Sequence, residues 1–174
     1  SGCKAVAMDI DGAGLPFLKN MTPPAGSKSV EELKQIVSWA QRPFILKGIM
    51  TARGAEKALE AGASGIVVSN HGGRVLDHCP ATAEVLPEIV DAVGGKLTIF
   101  VDGAIRSGMD MFKALALGAD AVLIGRPFVT TVYGGGEEGV QLYVQKLKAE
   151  LADTMRMCGA HSLAEIKRSM LFGF

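Results

Sequence analysis

One short stretch of the sequence combines side chains suited to proton transfer and to carboxylate binding. In Ser69–Arg74, which reads SNHGGR, two glycines separate His71 from Arg74. A histidine can exchange a proton near neutral pH, and the planar guanidinium of an arginine matches a carboxylate. Adjacent glycines let the chain turn sharply and bring its backbone close to a ligand. A lone histidine is more often structural, but this combination at a strand end favours His71 as a base and Arg74 as a carboxylate ligand.

Three more charged residues lie in or directly after apolar stretches earlier in the chain. Asp9 and Asp11 fall on one side of the first stretch, because side chains alternate along a strand. Lys47 lies inside the second stretch, FILKGI, where an unpaired ammonium is costly. We expect Lys47 to point toward an anionic or electron-rich ligand. Two alternatives stay open: an aspartate caps an ordinary turn, or the lysine reaches solvent from its strand end.

Two turns in the second half of the chain combine small residues with an arginine. They are Asp102–Ser107, which reads DGAIRS, and Gly125–Pro127, which reads GRP. Backbone amides, a helix N-terminus and an arginine together bind anions. Two consecutive turns of this kind match the phosphate site that TIM barrels form after strands seven and eight. Either turn alone is equally consistent with a plain connection that carries a surface arginine.

Short, nearly continuous apolar stretches alternate with helical patterns along the chain, as is typical of strands covered on both faces. We predict strands at 5–10, 44–49, 65–69, 97–101 and 121–124. Helices are expected at 30–40, 52–61, 81–93, 107–117 and 138–157, and a last helix from Ser162, where Glu165 completes a capping box.

The order of these elements predicts part of a barrel. Strict alternation indicates a parallel sheet with helices outside, and Ala58–Val67 and Ala114–Leu123 repeat one pattern of helix end, glycine turn and strand. A closed barrel takes about 250 residues, whereas this chain has 174. We therefore predict an α/β fold, a partial TIM (β/α)8 barrel whose five parallel strands correspond to strands four to eight. It forms a single incomplete domain over 1–174, and its open edges favour a homo-oligomer or other self-association.

Charge and cysteine usage narrow the classes of partner. The 18 basic and 18 acidic residues balance, so neither nucleic acid nor an anionic membrane is expected as a partner. The three cysteines are widely spaced and form no CxxC pair, which predicts no metal site and a reduced, cytoplasmic setting. No apolar stretch is long enough to span a membrane.

Several of these motifs occur together in one known family. The stretches LKGI (Leu46–Ile49), SNHGGR (Ser69–Arg74), VDGAIRSGMDMFKALALGAD (Val101–Asp120) and IGRP (Ile124–Pro127) resemble the FMN-dependent 2-hydroxy-acid oxidases and dehydrogenases. That family includes glycolate oxidase, lactate oxidase and L-lactate dehydrogenase. The resemblance extends from about Lys4 to Leu171 and corresponds to the C-terminal part of the family's barrel.

The resemblance implies a role for each matching residue. His71 would be the base, Asp11 its carboxylate partner and Arg74 the ligand of the substrate carboxylate. The implied FMN-binding residues are Lys47, Ser69, Asp102, Gly103, Ala104, Arg106, Gly125 and Arg126. Ala104 departs from the family, which usually has a glycine there, and its methyl group could crowd the phosphate turn. Asp9 stands where the family often has a threonine near the flavin.

The resemblance implies oxidation of a small L-2-hydroxy acid of the lactate or glycolate type to the 2-oxo acid, with FMN as cofactor. Two enzyme alternatives with similar phosphate turns are the flavin-type isopentenyl diphosphate isomerases and the inosine-monophosphate dehydrogenases, but SNHGGR argues against both. A non-enzyme alternative also stays open. In that case the chain is an inactive partial barrel that binds FMN or only self-associates.

Overall fold

The computed structural model describes residues 2–18, 20–23 and 25–173. The chain divides into two compact units, Ser1–Gly103 and Ala104–Phe174. The division falls inside the DGAIRS turn that follows the fourth strand. The expectation of a single incomplete domain stays a prediction.

The first unit contains a parallel sheet flanked by helices. Its four strands β1, β2, β3 and β4 pair in chain order, each parallel to the next. The strands are β1 (Val6–Asp9), β2 (Phe44–Ile49), β3 (Gly65–Val68) and β4 (Thr98–Val101), and the helices are α1 (Val30–Ala40), α2 (Ala52–Glu60) and α3 (Thr82–Val93). Single 3-10 turns cover Gly12–Gly14 and His71–Gly73.

Side-chain caps explain where two of these helices begin. The Ser29 hydroxyl accepts a hydrogen bond from the Glu32 amide at 3.1 Å, and the Glu32 carboxylate accepts one from the Ser29 amide at 2.7 Å. This capping box satisfies two amides that lack partners inside α1. Thr51 caps α2 through the Gly54 amide at 3.0 Å. Both starts agree with the sequence prediction.

A β-bulge at Gly48 interrupts the pairing of β2 with β3. Lys47 pairs with Val67, whereas Ile49 pairs with the very next residue, Val68. Gly48 is therefore the extra residue, and its φ of 103° favours glycine. On the other side of β2 the register is regular and sets Asp9 opposite Lys47.

The core of the first unit lies between the sheet and its helices. All four residues of β3 are buried. Fully buried aliphatic side chains of the neighbouring strands and of α3 complete the core: Leu46, Ile99, Leu86, Ile89 and Val93. Burying a large aliphatic side chain contributes about 1.5–3 kcal/mol, so this layer fixes the sheet whose strand ends carry the polar residues.

The second unit contains α4 (Gly108–Ala116), the short strand β5 (Ala121–Val122) and α5 (Arg126–Cys158). A core cluster of Phe112, Ala116, Ala160 and Ile166 holds it together. Gly108 lies against α5 so closely that a Cβ there would collide with the backbone of Glu150 and Leu151. In the described part of the chain no helix is both long enough and apolar enough to cross a membrane.

Two expectations for the second unit are wrong. Helix α5 begins at Arg126 rather than near residue 138, because the chain is helical before and after a break at Gly136 (φ 54°, ψ −139°). The expected α-helix from Ser162 is instead two single 3-10 turns, Leu163–Glu165 and Arg168–Met170. Glu165 accepts hydrogen bonds from the His161 amide and the Ser162 hydroxyl, and Ile166 is then extended and buried, which ends the turn.

Candidate active site

The SNHGGR stretch folds as a tight turn at the end of β3. His71, Gly72 and Gly73 have φ angles of 57°, 69° and 75°, so three consecutive residues lie in the left-handed region. For a non-glycine residue this costs about 1–2 kcal/mol, and side-chain hydrogen bonds hold the turn. Asn70 Oδ1 accepts from the Gly73 amide at 3.2 Å, and the buried Ser69 Oγ accepts from the His71 amide at 3.1 Å.

Four charged or ionisable side chains meet at the ends of β1, β2 and β3. We call Asp9, Asp11, Lys47 and His71 the strand-end cluster. His71 Nδ1 lies 3.1 Å from Asp11 Oδ1 and 3.4 Å from Lys47 Nζ. Lys47 Nζ donates to Asp9 Oδ1 at 2.6 Å, and Asp9 Oδ1 is 4.0 Å from His71 Nδ1. The ring nitrogen Nδ1 therefore faces one carboxylate and one ammonium.

Backbone shape brings Asp11 to His71. The Ile10 amide donates to Lys47 O at 2.9 Å, which extends the pairing of β1 with β2 beyond Asp9. At Gly48 a Cβ would lie 2.7 Å from both Cβ and Cγ of Asp11, closer than real atoms approach. The bulge glycine thus makes the space that the Asp11 side chain occupies.

Two buried carboxylate oxygens in the first unit have no hydrogen-bond partner among the described residues: Asp11 Oδ2 and Asp102 Oδ1. An unpaired buried acceptor is costly, and such groups in native proteins require an explanation. The backbone of Asp102 is fixed, because the Thr82 hydroxyl donates to Asp102 O at 2.6 Å. A hydroxyl group of a ligand would supply the donor that Asp102 Oδ1 lacks.

Arg74 ends the 3-10 turn that begins at His71. Its side chain is exposed, and within the described ranges no hydrogen bond or ion pair holds its guanidinium. Arg74 is therefore available to an external carboxylate.

Three amides at the N-terminus of α4 in the second unit donate to carboxylates of the chain itself. Asp110 Oδ2 accepts from the amides of Arg106 at 3.1 Å and Ser107 at 3.0 Å, and Glu150 Oε2 accepts from the Gly108 amide at 2.9 Å. We call these three amides, together with the carboxylates of Asp110 and Glu150 that accept from them, the α4 start. Amides that were expected to contribute to an anion site are thus already paired, and the guanidinium of Arg106 is exposed.

Two pKa shifts reflect this packing. Burial acts to raise the pKa of Asp110, but hydrogen bonds from the Ser107 side chain and from the amides of Arg106 and Ser107 outweigh it, so that the pKa lies below its ordinary value. Burial, together with the carboxylates of Glu150 and Asp110, raises the pKa of Tyr143, whose hydroxyl donates to Arg106 O at 3.0 Å. Both groups hold the turn before α4 in place.

The other predicted phosphate residues lie in turns. Ala104 has a φ of 57°, the left-handed conformation that favours the glycine found in the family. Its neighbour Gly103 has a φ of 100°, and a Cβ there would lie 3.0 Å from Thr82 Oγ1. Gly125 precedes the first residue of α5, Arg126, and its carbonyl accepts from the Phe128 amide at 3.0 Å. The side chain of Arg126 is exposed.

The strand-end cluster also contains three atoms of types that bind metal ions. One donor atom each of Asp9, Asp11 and His71 lie within 4.8 Å of one another. Lys47, however, places its ammonium 2.6 Å from Asp9 Oδ1 and so supplies a positive charge from the chain itself. The expectation that the site holds no metal stays a prediction.

The structure therefore brings His71, Asp11 and Lys47 together, as the sequence suggested, and adds Asp9. The position of Asp9 in the sequence predicted a place beside the site but indicated no partner for it. The signal that identifies the partner is the register of β1 and β2, which sets Asp9 opposite Lys47. The pairing of Ser107 with Asp110 at the start of α4 was expected, whereas the contact of Glu150 with the Gly108 amide was not.

An imidazole paired with a carboxylate at strand ends, beside a lysine and an exposed arginine, is the arrangement expected of an active site in the β/α-barrel class. Residues 8–172 match the family model described as FMN-dependent dehydrogenase. The chain belongs to this family.

Individual relatives agree with that assignment. The chain is 48% identical over 149 residues to the peroxisomal (S)-2-hydroxy-acid oxidase GLO4 of Oryza sativa subsp. japonica, covering 86% of this chain and 40% of that protein. It is 41% identical over 169 residues to a 2-hydroxyacid oxidase of Dictyostelium discoideum, covering 97% of this chain and 43% of that protein. The chain thus spans about two fifths of the length of these relatives.

Solved structures show the same fold. A mandelate oxidase mutant with (S)-mandelic acid superposes with a TM-score of 0.86 at 37% identity, covering 96% of this chain and 54% of that chain. Mandelate oxidase with benzoyl-formic acid gives the same score and coverage. The predicted fold class, α/β and part of a TIM barrel, is confirmed, and so is the predicted family.

Proposed function

We propose that this chain supplies the base, the carboxylate-binding arginine and the FMN-phosphate residues of an enzyme that oxidises a small L-2-hydroxy acid to the 2-oxo acid. The observation that carries the proposal is the 3.1 Å contact between His71 Nδ1 and Asp11 Oδ1 at the strand ends. Membership of the FMN-dependent dehydrogenase family supports it. The lactate or glycolate type of substrate is part of the proposal.

The His71–Asp11 contact suits a general base. A carboxylate can only accept hydrogen bonds, so a bond to Asp11 puts the proton of the neutral imidazole on Nδ1 and leaves the lone pair on Nε2. Asp11 also stabilises the imidazolium that forms when Nε2 takes a proton. The side chain of Asp11 is 13% exposed and that of His71 is 20% exposed, so little water weakens this interaction.

The residues of the first unit fit a flavin. Asp102 Oδ1 is a buried acceptor in need of a donor, which a ribityl hydroxyl would provide. Lys47 would bind the electron-rich edge of the ring, and Ser69 completes the proposed set in this unit together with the backbone at Gly103. When bound, FMN accepts the two electrons that the substrate loses.

In the second unit we propose that Arg106 and Arg126 bind the phosphate of FMN, with the backbone at Ala104 and Gly125. Both arginine side chains are exposed. Arg106 follows the turn at Gly103 and Ala104, whose φ angles are 100° and 57°, and Arg126 follows Gly125. The amides of Arg106, Ser107 and Gly108 already donate to Asp110 and Glu150. The binding energy for the phosphate would therefore come from the guanidinium groups rather than from the amides at the α4 start.

The reaction balances with these residues in their proposed roles. Arg74 binds the substrate carboxylate and so directs the C2 carbon toward the cluster. The C2 hydroxyl group becomes a carbonyl, which releases two electrons and two protons. His71 takes one of the protons at Nε2, and Asp11 stabilises the resulting positive charge. The two electrons and the second proton would go to FMN.

Flavin binding and anaerobic reduction test the proposal. The purified chain is mixed with FMN, and the flavin absorbance is followed after addition of L-lactate or glycolate. We expect bound flavin that bleaches with substrate, whereas His71→Gln binds flavin but bleaches far more slowly. Bleaching of His71→Gln at the wild-type rate would overturn the assignment of the base.

The second candidate is an inactive partial barrel that binds FMN or only self-associates. The chain spans about two fifths of the length of these relatives, so the activity of the whole enzyme does not carry over to it from the likeness alone. Flavin that binds and is never reduced identifies a binding module. Absence of flavin binding, with dimers or larger species by light scattering, identifies a self-associating scaffold. A homo-oligomer and a cytoplasmic location belong to the proposal as well.

A further inference from the structure

We propose that Asp9 is a positioning residue that keeps the Lys47 ammonium away from His71 and so fixes the imidazole tautomer that leaves Nε2 as the base. The inference deepens the proposed function and rests on it for its catalytic meaning. It stands on three distances within the strand-end cluster. These are 2.6 Å from Lys47 Nζ to Asp9 Oδ1, 3.4 Å from Lys47 Nζ to His71 Nδ1, and 3.1 Å from His71 Nδ1 to Asp11 Oδ1.

Lys47 and Asp11, the two neighbours of His71 Nδ1, require opposite protonation states of this nitrogen. An ammonium can only donate and needs a lone pair on Nδ1, whereas a carboxylate can only accept and needs a proton there. One nitrogen of a neutral ring cannot satisfy both. If Asp11 bonds to Nδ1, the basic lone pair of the ring lies on Nε2. If Lys47 bonds to Nδ1, the lone pair lies on Nδ1, where the ammonium blocks it from a substrate.

Asp9 favours the bond between His71 and Asp11, because its carboxylate is a better acceptor for Lys47 than His71 Nδ1 is. The Lys47–Asp9 contact is 0.8 Å shorter than the Lys47–His71 contact (3.4 Å against 2.6 Å), and it joins two opposite charges. The pairing of β1 with β2 sets Asp9 directly opposite Lys47, so the backbone itself maintains the contact. With Lys47 engaged, Nδ1 is left to Asp11.

Removal of the Asp9 carboxylate frees an ammonium that lies 3.4 Å from His71 Nδ1, which itself lies 3.1 Å from Asp11 Oδ1. It can donate to the lone pair of Nδ1, which selects the tautomer protonated at Nε2. It can also turn to Asp11 and compete for the carboxylate that holds Nδ1–H. Either movement weakens the bond that keeps the proton on Nδ1.

The test is the tautomer of His71, measured by the 15N chemical shifts of the ring in the 174-residue chain at alkaline pH. His71→Gln assigns the signals by their loss. In the wild type we expect a pyrrole-type Nδ1 and a pyridine-type Nε2. In Asp9→Ala we expect the two shifts to move toward each other or to exchange. Asp9→Asn, which preserves shape, is expected to move them in the same direction by a smaller amount.

Two further variants isolate the cause. In Asp9→Ala/Lys47→Met the competing ammonium is gone, so the wild-type shifts are expected to return. Asp77→Ala removes an exposed carboxylate outside the cluster and is expected to change nothing at His71. An unchanged far-UV circular dichroism spectrum shows that each variant is folded.

The inference fails if Asp9→Ala keeps the wild-type shifts, or if the double variant does not restore them. Neither result depends on flavin or substrate. Failure of the proposed function would instead appear as absent flavin binding or absent reduction with the His71 tautomer intact, so the two failures are distinguishable.

Discussion

The strand-end cluster of the first unit and the α4 start of the second both gather carboxylates near basic groups or amides, but they differ in how far their polar atoms are satisfied. At the α4 start, three successive amides donate to Asp110 and Glu150. In the strand-end cluster, Asp11 Oδ2 is buried without a described partner, and one nitrogen of His71 faces two competing groups.

This difference separates a structural arrangement from a reactive one. A set of polar groups that satisfy one another rigidifies the chain and has little left to offer a ligand. The strand-end cluster has an unpaired acceptor, a residue in the left-handed region and an oriented imidazole. Such features are energetically unfavourable on their own, and a bound ligand can offset their cost. This difference supports the proposal that the strand ends are the reactive region and that the α4 start has a structural role.

The largest expected effect is on the strand-end cluster and concerns rate. His71→Gln should lower flavin reduction by about 10²–10⁴-fold, the usual contribution of a positioned base. Stopped-flow absorbance of the flavin measures it. Asp110→Asn, at the α4 start, serves as the control and should change the rate far less. If both variants lowered the rate of flavin reduction equally, the two regions would not differ in their contribution to the reaction.

The next effect concerns the space that holds Asp11. Gly48→Ala should destabilise the chain by about 2–4 kcal/mol, because it adds a left-handed strain to a steric collision. Urea unfolding measures the free energy. Gly62→Ala is the matched control, since its φ of 83° imposes similar strain while the nearest atom to its Cβ is 3.8 Å away. If both variants lose the same free energy, Gly48 does not make room for Asp11.

A smaller effect is expected at the α4 start, and it depends on pH. Asp110→Asn should cost about 1 kcal/mol at neutral pH, as loss of a helix cap does. The pKa of Asp110 is lower in the folded chain than its ordinary 3.8, so its stabilisation is complete above that value and is lost as the pH falls through the folded pKa. Urea unfolding at neutral pH and in acid measures the difference between the variant and the wild type.

That difference should shrink in acid, where Asp110 of the wild type becomes protonated. Asp91→Asn, on an exposed part of α3, should stay within about 0.5 kcal/mol of the wild type throughout. A difference for Asp110→Asn that is constant with pH would mean that the carboxylate charge contributes nothing to the cap.

The smallest effect concerns the turn that separates the two units. Ala104→Gly should stabilise the chain by about 0.5–1 kcal/mol, because it relieves a left-handed φ at the expense of some unfolded-state entropy. Thermal unfolding measures it. Gln41→Gly, at a φ of 47° after α1, is a matched substitution and should gain a similar amount. A gain at Gln41 alone would indicate that the Ala104 methyl group makes a favourable contact.

Local sequence patterns predicted much of the fold. Strand β2 and helix α1 have the predicted ends, because Pro43 precedes an unbroken apolar run and Ser29 with Glu32 forms a capping box. Helix α5 was predicted too short, since Gly134–Gly136 suggests an interruption whereas only Gly136 leaves the helical conformation. The pattern of Ser162 and Glu165 resembles a cap, yet no α-helix follows it.

Within the site, motifs predicted residues but not pairings. His71, Asp11 and Lys47 follow from residue type and position at strand ends. Their contacts depend on the register of β1 against β2 and on the bulge at Gly48, which are long-range properties of the backbone. The same limit applies to Glu150, which reaches the Gly108 amide from 42 residues further along the chain.

Gly108 leaves no room for a side chain between α4 and α5. This limits which hybrid proteins can be built from segments of this chain and of its relatives. A hybrid that takes α4 from one parent and α5 from another must keep these two helices close enough that only a glycine fits at residue 108. Crossovers placed inside that helical pair should give misfolded products, whereas those placed at the Gly103–Ala104 junction exchange the pair intact.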